Sequence, residues 1–135
     1  MVDAYLNKKY KLASSDNFDE FMKALGVGLM TRKVGATVSP VVELKKEGDT
    51  YVLTSTSTFK NMTTKFQPGV EFDDETADGR KVKSIITIAG DTITEVQTDQ
   101  NGKVSTIERT FSDQEIKMVL KVDDVICTRV YKLQG

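Results

Sequence analysis

The sequence predicts an all-β protein, an antiparallel up-and-down meander that is either a barrel or a sandwich, with one pair of helices inserted near its start. Three features predict this class. Turn-forming residues recur about every ten residues from residue 40 onward. The segments between them alternate apolar and polar side chains, and helical periodicity is confined to one stretch near the N-terminus.

The turns divide the chain into short strands. Asn101-Gly102 is the strongest turn signal, because both residues tolerate the positive φ of a type I′ hairpin. The other signals are Glu47-Gly48-Asp49, Pro68-Gly69, Asp78-Gly79, Ala89-Gly90-Asp91, Ser112-Asp113 and Asp123-Asp124. With a first strand from about Tyr5 to Ser14, this spacing predicts about nine further strands after the helices.

Residues 16–36 break the strand pattern. The segment Ser15-Asp16-Asn17 offers N-cap side chains, and four apolar residues follow with the spacing of one helix face. These four are Phe18, Phe21, Met22 and Leu25. Gly26 ends this helix, and a second one is expected from about 27 to 34, with Gly35 ending it. A helix pair inserted after the first strand of an all-β chain is typical of a lid across a barrel mouth.

Length and composition limit the classes of function. The chain has 135 residues, which we expect to form a single domain, 1–135, and its net charge is −1 with a pI near 5.5. That charge argues against a nucleic-acid partner held through its phosphates. No segment predicts a signal peptide or a membrane span, and one cysteine cannot form an internal disulfide, so we expect a reducing, cytoplasmic setting.

Histidine is absent from the sequence. Its absence excludes His-based catalytic triads, His general bases and zinc sites that need imidazole. Cys127 without a histidine partner is a poor candidate for a nucleophile. We therefore expect no enzymatic activity, no catalytic residue, no metal site and no cofactor.

Two arginines fall on the apolar faces of predicted strands. The segment 115–122 alternates strictly and places its apolar side chains on one face. By the same count Arg109 shares a face with Phe111, and Arg129 shares a face with Tyr131. Both guanidinium groups are therefore expected to point inward.

An inward arginine has several readings. The arginine lies at a sheet edge, or the register of the strand is shifted, or the side chain is truly buried. A buried guanidinium needs an anion, because an unpaired buried charge is costly. That anion is either an acid of the protein, in an ion pair, or a bound ligand, in an internal anion site. Glu95 is the inward acid available for an ion pair. A carboxylate ligand would also fit two guanidinium groups and a phenol donor. Other inward positions are small or polar, which favours a hydrated cavity over a solid core. These positions are Thr54, Ser55, Thr56, Ser57, Gln97 and Ser105.

Ordered motifs extend over essentially the whole chain. The first half contains Tyr10-Lys11-Leu12, the segments 17–23 and 24–28, Thr31-Arg32-Lys33 and the segment 57–61. The second half contains the segments 69–73 and 78–84 and the closing segment 127–131, whose Arg129-Val130-Tyr131 is an Arg-x-Tyr motif. In these motifs the chain resembles the cytosolic fatty-acid-binding proteins of the intracellular lipid-binding protein superfamily, and most of all the heart or muscle type and its invertebrate relatives.

The resemblance implies a ten-stranded, clam-shaped antiparallel up-and-down barrel with a helix-turn-helix lid and one long-chain fatty acid inside. It implies that Arg129 and Tyr131 bind the ligand carboxylate, together with Arg109, which often acts through water. Eight residues would line the ligand chain, namely Phe18, Met22, Leu25, Thr31, Pro40, Ser55, Met118 and Leu120. Seven would form the portal, namely Leu29, Arg32, Lys33, Phe59, Lys60, Ala77 and Asp78.

Some positions depart from the family pattern. Val42 stands where many relatives carry a threonine near the carboxylate, so one head-group contact is expected to be missing. Tyr10 replaces a common tryptophan, with little expected effect on the ligand. Arg32 and Lys33 have two readings, a solvated helix face or a transient contact with anionic membranes during ligand transfer. We expect the carrier to be a monomer.

Two other functions on the same fold are alternatives to a fatty-acid carrier. A retinoic-acid carrier would also use an inward Arg-x-Tyr motif, whereas retinol carriers tend to place glutamine where this chain has arginine. A membrane-stacking structural protein would need a strongly basic surface, which a net charge of −1 does not supply. The sequence therefore predicts an intracellular carrier that moves or buffers a fatty acid between membranes and enzymes.

Overall fold

The computed structural model describes residues 1–134 and consists of ten antiparallel strands and a short helical lid. A 3-10 helix (Val2–Tyr5) precedes the first strand, and the lid is α1 (Phe18–Ala24) and α2 (Leu29–Thr37). The strands are β1 (Lys9–Asp16), β2 (Val41–Glu47), β3 (Thr50–Thr56), β4 (Asn61–Phe66), β5 (Phe72–Glu75), β6 (Lys81–Ala89), β7 (Thr92–Asp99), β8 (Val104–Phe111), β9 (Glu115–Val122) and β10 (Val125–Leu133).

The strands form one sheet that curls into a nearly closed barrel. Its order is β4-β3-β2-β1-β10-β9-β8-β7-β6-β5, so consecutive strands pair except for β4 and β5, and β1 pairs with β10. β4 and β5 are the two ends of that order. The all-β, ten-stranded meander with a helix pair after the first strand is therefore confirmed.

β1 joins the two halves of the barrel. Residues Lys9 to Lys11 pair with β2, and residues Tyr10 to Asp16 pair with β10, with a register shift between Leu12 and Ser14. A bulge of this kind bends a strand and increases its twist. The bend lets one strand hydrogen-bond to β2 at its start and to β10 along its length.

Two boundaries and the capping of α1 differ from the sequence prediction. The first strand begins at Lys9 rather than near Tyr5, because the preceding residues form the 3-10 helix and Asn7 turns the chain with a φ of 66°. Gly35 does not end α2, which continues to Thr37. Asn17 occupies the N-cap of α1, but its side chain donates to the Ile126 carbonyl at 3.0 Å instead of capping the helix.

The turn at Asn101-Gly102 is not the expected type I′ hairpin. Gly102 has a φ of 81°, while Asn101 is not among the residues with positive φ. The Asp99 carboxylate accepts hydrogen bonds from the backbone N–H groups of Asn101 and Lys103, both at 2.9 Å. This carboxylate stabilises a four-residue loop, residues 100–103, in place of a two-residue turn.

The solid core lies at the end of the barrel opposite the lid. Val2 of the 3-10 helix is fully buried there and donates its N–H to the Gly90 carbonyl at 3.0 Å. Tyr10 packs edge-on against Phe111 with ring centroids 5.9 Å apart, and its hydroxyl donates to the Ser112 carbonyl at 3.0 Å. The aromatic core closes this end, so the space inside the barrel opens toward the lid.

The lid is attached to the barrel mainly through α1. Phe21 and Met22 of α1 are buried, whereas α2 buries none of its residues. Lys103 of the β7–β8 loop donates to the Ala24 carbonyl of α1 at 2.8 Å and pairs with Asp123 at 3.1 Å. Within residues 1–134, no helix is long and apolar enough to cross a membrane.

Candidate functional site

A cavity of about 270 Å³ lies inside the barrel beneath the lid. This volume is close to the lower end of small-molecule pockets, about 300–1,000 Å³. Residues from α1, from α2 and from most of the strands line it. They include Phe18, Phe21, Met22, Leu25, Val27, Val38, Pro40, Val42, Leu53, Met62, Ile107, Met118 and Leu120, which are apolar, the hydroxyl residues Thr31 and Ser55, which lie among them, and the polar residues Glu95, Gln97, Arg109, Arg129 and Tyr131.

The structure brings the predicted ligand-chain residues together on the wall of this cavity. All eight contribute to it: Phe18, Met22, Leu25, Thr31, Pro40, Ser55, Met118 and Leu120. Among the small polar positions, Ser55, Ser57 and Gln97 also line the cavity. Thr54 and Thr56 do not, because successive residues of a strand point to opposite faces and Ser55 takes the inward one.

The two predicted arginines lie at the same level of the barrel. Arg109 on β8 and Arg129 on β10 are both register partners of Met118, on the strand between them. Side chains at matching positions on alternate strands lie about two strand spacings apart, roughly 10 Å between backbones. The long guanidinium side chains therefore enter the same part of the cavity.

Arg109 has an internal counter-ion. Its Nη1 donates to Glu95 Oε1 at 3.0 Å, and the two side chains are 11% and 5% exposed. Gln97 Nε2 donates to the other oxygen of Glu95 at 2.8 Å, and Ser105 Oγ lies 3.5 Å from Gln97 Oε1. The ion-pair reading is therefore correct for Arg109, and its charge is balanced by the protein itself.

Over the part of the chain that the structure describes, no carboxylate pairs with Arg129. The residue is 7% exposed, its Nε donates to Ser15 Oγ at 3.2 Å, and its guanidinium carbon lies 3.8 Å from the centroid of the Phe18 ring. Within residues 1–134, the arginines that pair with a carboxylate are Arg32, Arg80 and Arg109. A buried cation held by a hydroxyl and an aromatic ring leaves room for an anion to bind.

Tyr131 supplies a neutral donor beside the arginines. It is 2% exposed, and burial raises the pKa of its phenol. The positive charge of Arg129 and, to a smaller extent, that of Arg109 lower this pKa but do not cancel the effect of burial. The phenol therefore stays protonated at neutral pH. A guanidinium and a phenol that both face the cavity can each donate a hydrogen bond to one carboxylate.

Cys127 lies two residues before Arg129 on the same face and is completely buried. Burial raises the pKa of its thiol from 9.0 to about 11, against the lowering effect of the Arg129 charge. A protonated thiol is neither a nucleophile nor a metal ligand. Cys127 does not line the cavity and packs in the hydrophobic core as a small apolar residue.

The predicted portal residues separate into two groups. Phe59, Ala77 and Asp78 line the outer part of the cavity. Leu29, Arg32, Lys33 and Lys60 do not contribute to the cavity wall. Leu29 is 56% exposed and Lys33 is also exposed, whereas Arg32 pairs with Asp19 at 3.1 Å and donates to the Val27 carbonyl at 2.7 Å.

Several residues at the site were not predicted from the sequence. Arg80 pairs with Asp78 at 2.8 Å at the cavity mouth. It directly follows the Asp78-Gly79 turn, which the sequence predicted. Ser15 reaches Arg129 because β1 pairs with β10 opposite it. Asp74 also lines the cavity, and burial raises the pKa of its carboxyl; the Glu75 backbone N–H lowers it, and the nearby Glu95 charge raises it further.

A small antiparallel barrel with a helical lid, a largely apolar interior and, within residues 1–134, a buried arginine without a carboxylate partner defines a class, the β-barrel carriers of amphipathic molecules. The sequence comparison assigns this chain within that class. It belongs to the lipocalin / cytosolic fatty-acid binding protein family, whose pattern matches residues 8–134. The family consists of lipid-binding carriers rather than enzymes, and its members bind their ligands without a cofactor.

Individual relatives cover nearly the whole chain. A muscle fatty-acid-binding protein of Schistocerca gregaria is 46% identical in an alignment of 136 positions that covers 99% of this chain and 100% of that protein. The crystal structure of a fatty-acid-binding protein from Drosophila melanogaster brain is 55% identical, with a TM-score of 0.89 over 95% of this chain and 98% of that one. A Schistosoma mansoni fatty-acid-binding protein in complex with arachidonic acid is 37% identical, with a TM-score of 0.94 over 99% and 98%.

Proposed function

We propose that this protein is an intracellular carrier that binds one long-chain fatty acid in the barrel and moves or buffers it between membranes and enzymes. The ligand carboxylate is held by Arg129 and Tyr131, with Arg109 contributing directly or through water. The observation that supports this most is the buried guanidinium of Arg129, which faces an apolar cavity without a carboxylate partner in residues 1–134.

The relatives support the same ligand class. The Schistocerca gregaria protein is described as a muscle fatty-acid-binding protein, and the Schistosoma mansoni structure contains arachidonic acid. The cavity of about 270 Å³ is suited to one slender chain rather than to several ligands. The family's cytosolic members support a cytoplasmic location, and we expect a monomer.

The hydrocarbon chain supplies most of the affinity. Burial of a methylene group is worth about 0.8 kcal/mol, so a chain of roughly fifteen carbons contributes on the order of 10 kcal/mol. A hydrogen bond to a charged group contributes about 1.5–3 kcal/mol net. Arg129 and Tyr131 therefore fix the orientation of the ligand and select an anionic head group, whereas the apolar wall determines how tightly the ligand binds.

The proposal is tested by calorimetric titration of the delipidated protein with oleate. We expect one site per chain, and Arg129→Gln should weaken binding yet leave appreciable affinity from the chain. Lys121→Gln is the matched control, because Lys121 is exposed on the outer face of β9. Equal oleate affinity in Arg129→Gln would refute the head-group assignment. Competition with retinoic acid separates the two carrier types, and mass spectrometry of the copurifying lipid identifies the natural ligand.

The outer surface of α2 supports a second proposal, that the lid contacts anionic membranes during ligand transfer. Leu29, Met30 and Val34 are 56%, 78% and 38% exposed, and the exposed Lys33 lies between them in sequence. An exposed apolar group with a basic neighbour suits an anionic lipid surface. Reversal of the Arg32 and Lys33 charges should slow transfer to acidic vesicles; an unchanged, salt-insensitive rate would exclude this role.

A further inference from the structure

We propose that Glu95 determines the head-group charge that the cavity accepts: it restricts the site to ligands with a single negative charge. This inference rests on the proposed function, because it concerns the same cavity and the same anionic ligand. The feature that motivates it is a buried acid placed within an anion site, where a second acid would be expected to oppose ligand binding.

Among the charged side chains that line the cavity within residues 1–134, Arg129 is the cation without a carboxylate partner, and Asp74 and Glu75 are acids without a cationic partner. Arg80 pairs with Asp78 at 2.8 Å near the mouth, and Arg109 pairs with Glu95 at 3.0 Å in the interior. Arg129 donates to a serine hydroxyl rather than to a carboxylate. The interior site formed by Glu95, Arg109 and Arg129 therefore has a net charge of +1, which one carboxylate neutralises.

The contacts of Glu95 hold its charge in place. One carboxylate oxygen accepts from Arg109 and the other accepts from Gln97 at 2.8 Å, and only 5% of the side chain is exposed. A carboxylate that accepts hydrogen bonds at both oxygens is fixed in position and stays close to the arginine that it neutralises. The Glu95 carboxylate is therefore expected to keep its position in the site when the ligand enters.

A dianionic head group would leave one negative charge unbalanced. Its first charge would pair with Arg129, but its second would lie inside the barrel, where the remaining interior cation already pairs with Glu95. Asp74 also lines this cavity, close enough for the Glu95 charge to raise its pKa. An unpaired buried charge and repulsion from like charges both penalise such a ligand, so the site discriminates by repulsion as well as by attraction.

The ratio of two affinities tests this inference. Hexadecanoate carries one charge at pH 8, whereas hexadecyl phosphate is dianionic there because the second pKa of a phosphate monoester is about 6. We expect wild-type protein to favour hexadecanoate. Glu95→Gln, which keeps the shape but removes the charge, should shift the affinity ratio toward the phosphate by about tenfold or more, equivalent to about 1.4 kcal/mol.

Two variants control for effects other than charge at the site. Glu108→Gln makes the same substitution one residue before Arg109, on the opposite face of β8, and should leave the ratio unchanged. The double variant Glu95→Gln/Arg109→Gln restores a single interior cation, so its ratio should return toward that of the wild type. A ratio that stays at the wild-type value in Glu95→Gln, or that shifts equally in Glu108→Gln, would overturn the proposal.

A second test uses only the wild-type protein, so it does not depend on whether a variant folds. Hexadecyl sulfate remains a monoanion between pH 8 and pH 5, while hexadecyl phosphate changes from a dianion to a monoanion. The affinity of the phosphate relative to the sulfate should rise about tenfold over this range, and a flat ratio would refute charge selection. Failure of the wild type to bind hexadecanoate would instead refute the proposed function, so the two failures are distinguishable.

Discussion

Glu95 and Arg109 form an ion pair across neighbouring strands of the barrel, with Oε1 and Nη1 3.0 Å apart and both side chains nearly buried. Glu95 is a register partner of Ile107, so the two charged groups reach each other diagonally across β7 and β8. Pairing with Glu95 offsets the desolvation cost of burying the Arg109 guanidinium, and it does so before any ligand binds. Arg129, two strands from Arg109, has no carboxylate partner in the described part of the chain.

Removal of one partner of this pair should destabilise the fold more than removal of both. Arg109→Met leaves the buried Glu95 carboxylate without its cation, and a broken buried pair costs about 3–5 kcal/mol. The double variant Arg109→Met/Glu95→Leu replaces the pair with apolar side chains and should recover most of that loss. Urea unfolding of the delipidated protein measures both free energies.

The matched control for this prediction is Lys132→Met, which breaks an ion pair of 2.7 Å with Glu115 on the barrel surface. An exposed pair contributes about 0–1 kcal/mol, so its loss should be small. A similar small loss in Arg109→Met would show that the interior of the barrel is hydrated enough to screen Glu95, which contradicts the expected result.

The strand pattern could be predicted from the sequence because turns and alternation are local signals. The faces of β8, β9 and β10 followed from alternation alone, and the structure buries Ile107, Met118 and Tyr131 as expected. The boundaries were less predictable where tertiary contacts override local preference. Gly35 lies within α2 and marks a close contact with α1 rather than a helix end, since Met22 Sδ lies 3.2 Å from where a Cβ on Gly35 would be.

The candidate site could be predicted in its composition but not in its pairing. Alternation gives the direction of Arg109 and Arg129, yet the partner of each depends on the stagger between strands that are distant in sequence. Ser15 contacts Arg129 only because β1 pairs with β10 in the register that places them opposite each other. The hydrogen-bonded loop at residues 100–103 likewise depends on the Asp99 side chain, which the two-residue turn signal did not include.

Cys127 should make stability fall at alkaline pH. Burial raises the pKa of its thiol from 9.0 to about 11, so between these values the folded state holds a proton that the unfolded state has released. The contribution is complete below pH 9 and is lost as the pH rises toward 11, at most about 2–3 kcal/mol. Urea unfolding at pH 8 and pH 10.5 should show a smaller decline in Cys127→Ala than in the wild type.

Alkylation of Cys127 provides a second measurement of the same property. Native protein at pH 8 should react very slowly with iodoacetamide, because the thiol is protonated and completely buried, whereas protein unfolded in urea should react rapidly. Rapid modification of the native protein would mean that β10 opens near Cys127, which the burial of this residue does not predict.

Phe18 should be energetically coupled to Arg129. The guanidinium carbon lies 3.8 Å from the ring centroid, and a desolvated cation–π contact contributes about 0.5–2 kcal/mol. A double-mutant cycle of Phe18→Leu and Arg129→Met should give a coupling energy of about 1 kcal/mol, measured by urea unfolding. Phe21→Leu is the control, because Phe21 is buried in the same helix and no such contact with Arg129 is seen within residues 1–134. Equal coupling for Phe21 and Phe18 would argue against a specific contact.

Lys103 should govern how readily the C-terminal end of α1 separates from the barrel. Its Nζ donates to the Ala24 carbonyl at 2.8 Å, where the helix dipole is negative, and pairs with Asp123 at 3.1 Å. Lys103→Met removes both interactions, and we expect a loss of about 1 kcal/mol in local stability. Amide hydrogen exchange at Gly26 and Val27, which bond back to carbonyls of α1, should then accelerate about fivefold.

Asp123→Asn separates the two contacts of Lys103. It removes the surface ion pair but leaves the hydrogen bond to Ala24, so exchange at Gly26 should change little. If Asp123→Asn accelerates exchange as much as Lys103→Met does, the ion pair rather than the helix carbonyl holds the lid. Release of oleate should follow the same order, fastest in Lys103→Met, because the cavity opens beneath the lid and α2 has no buried residue of its own to keep that lid closed.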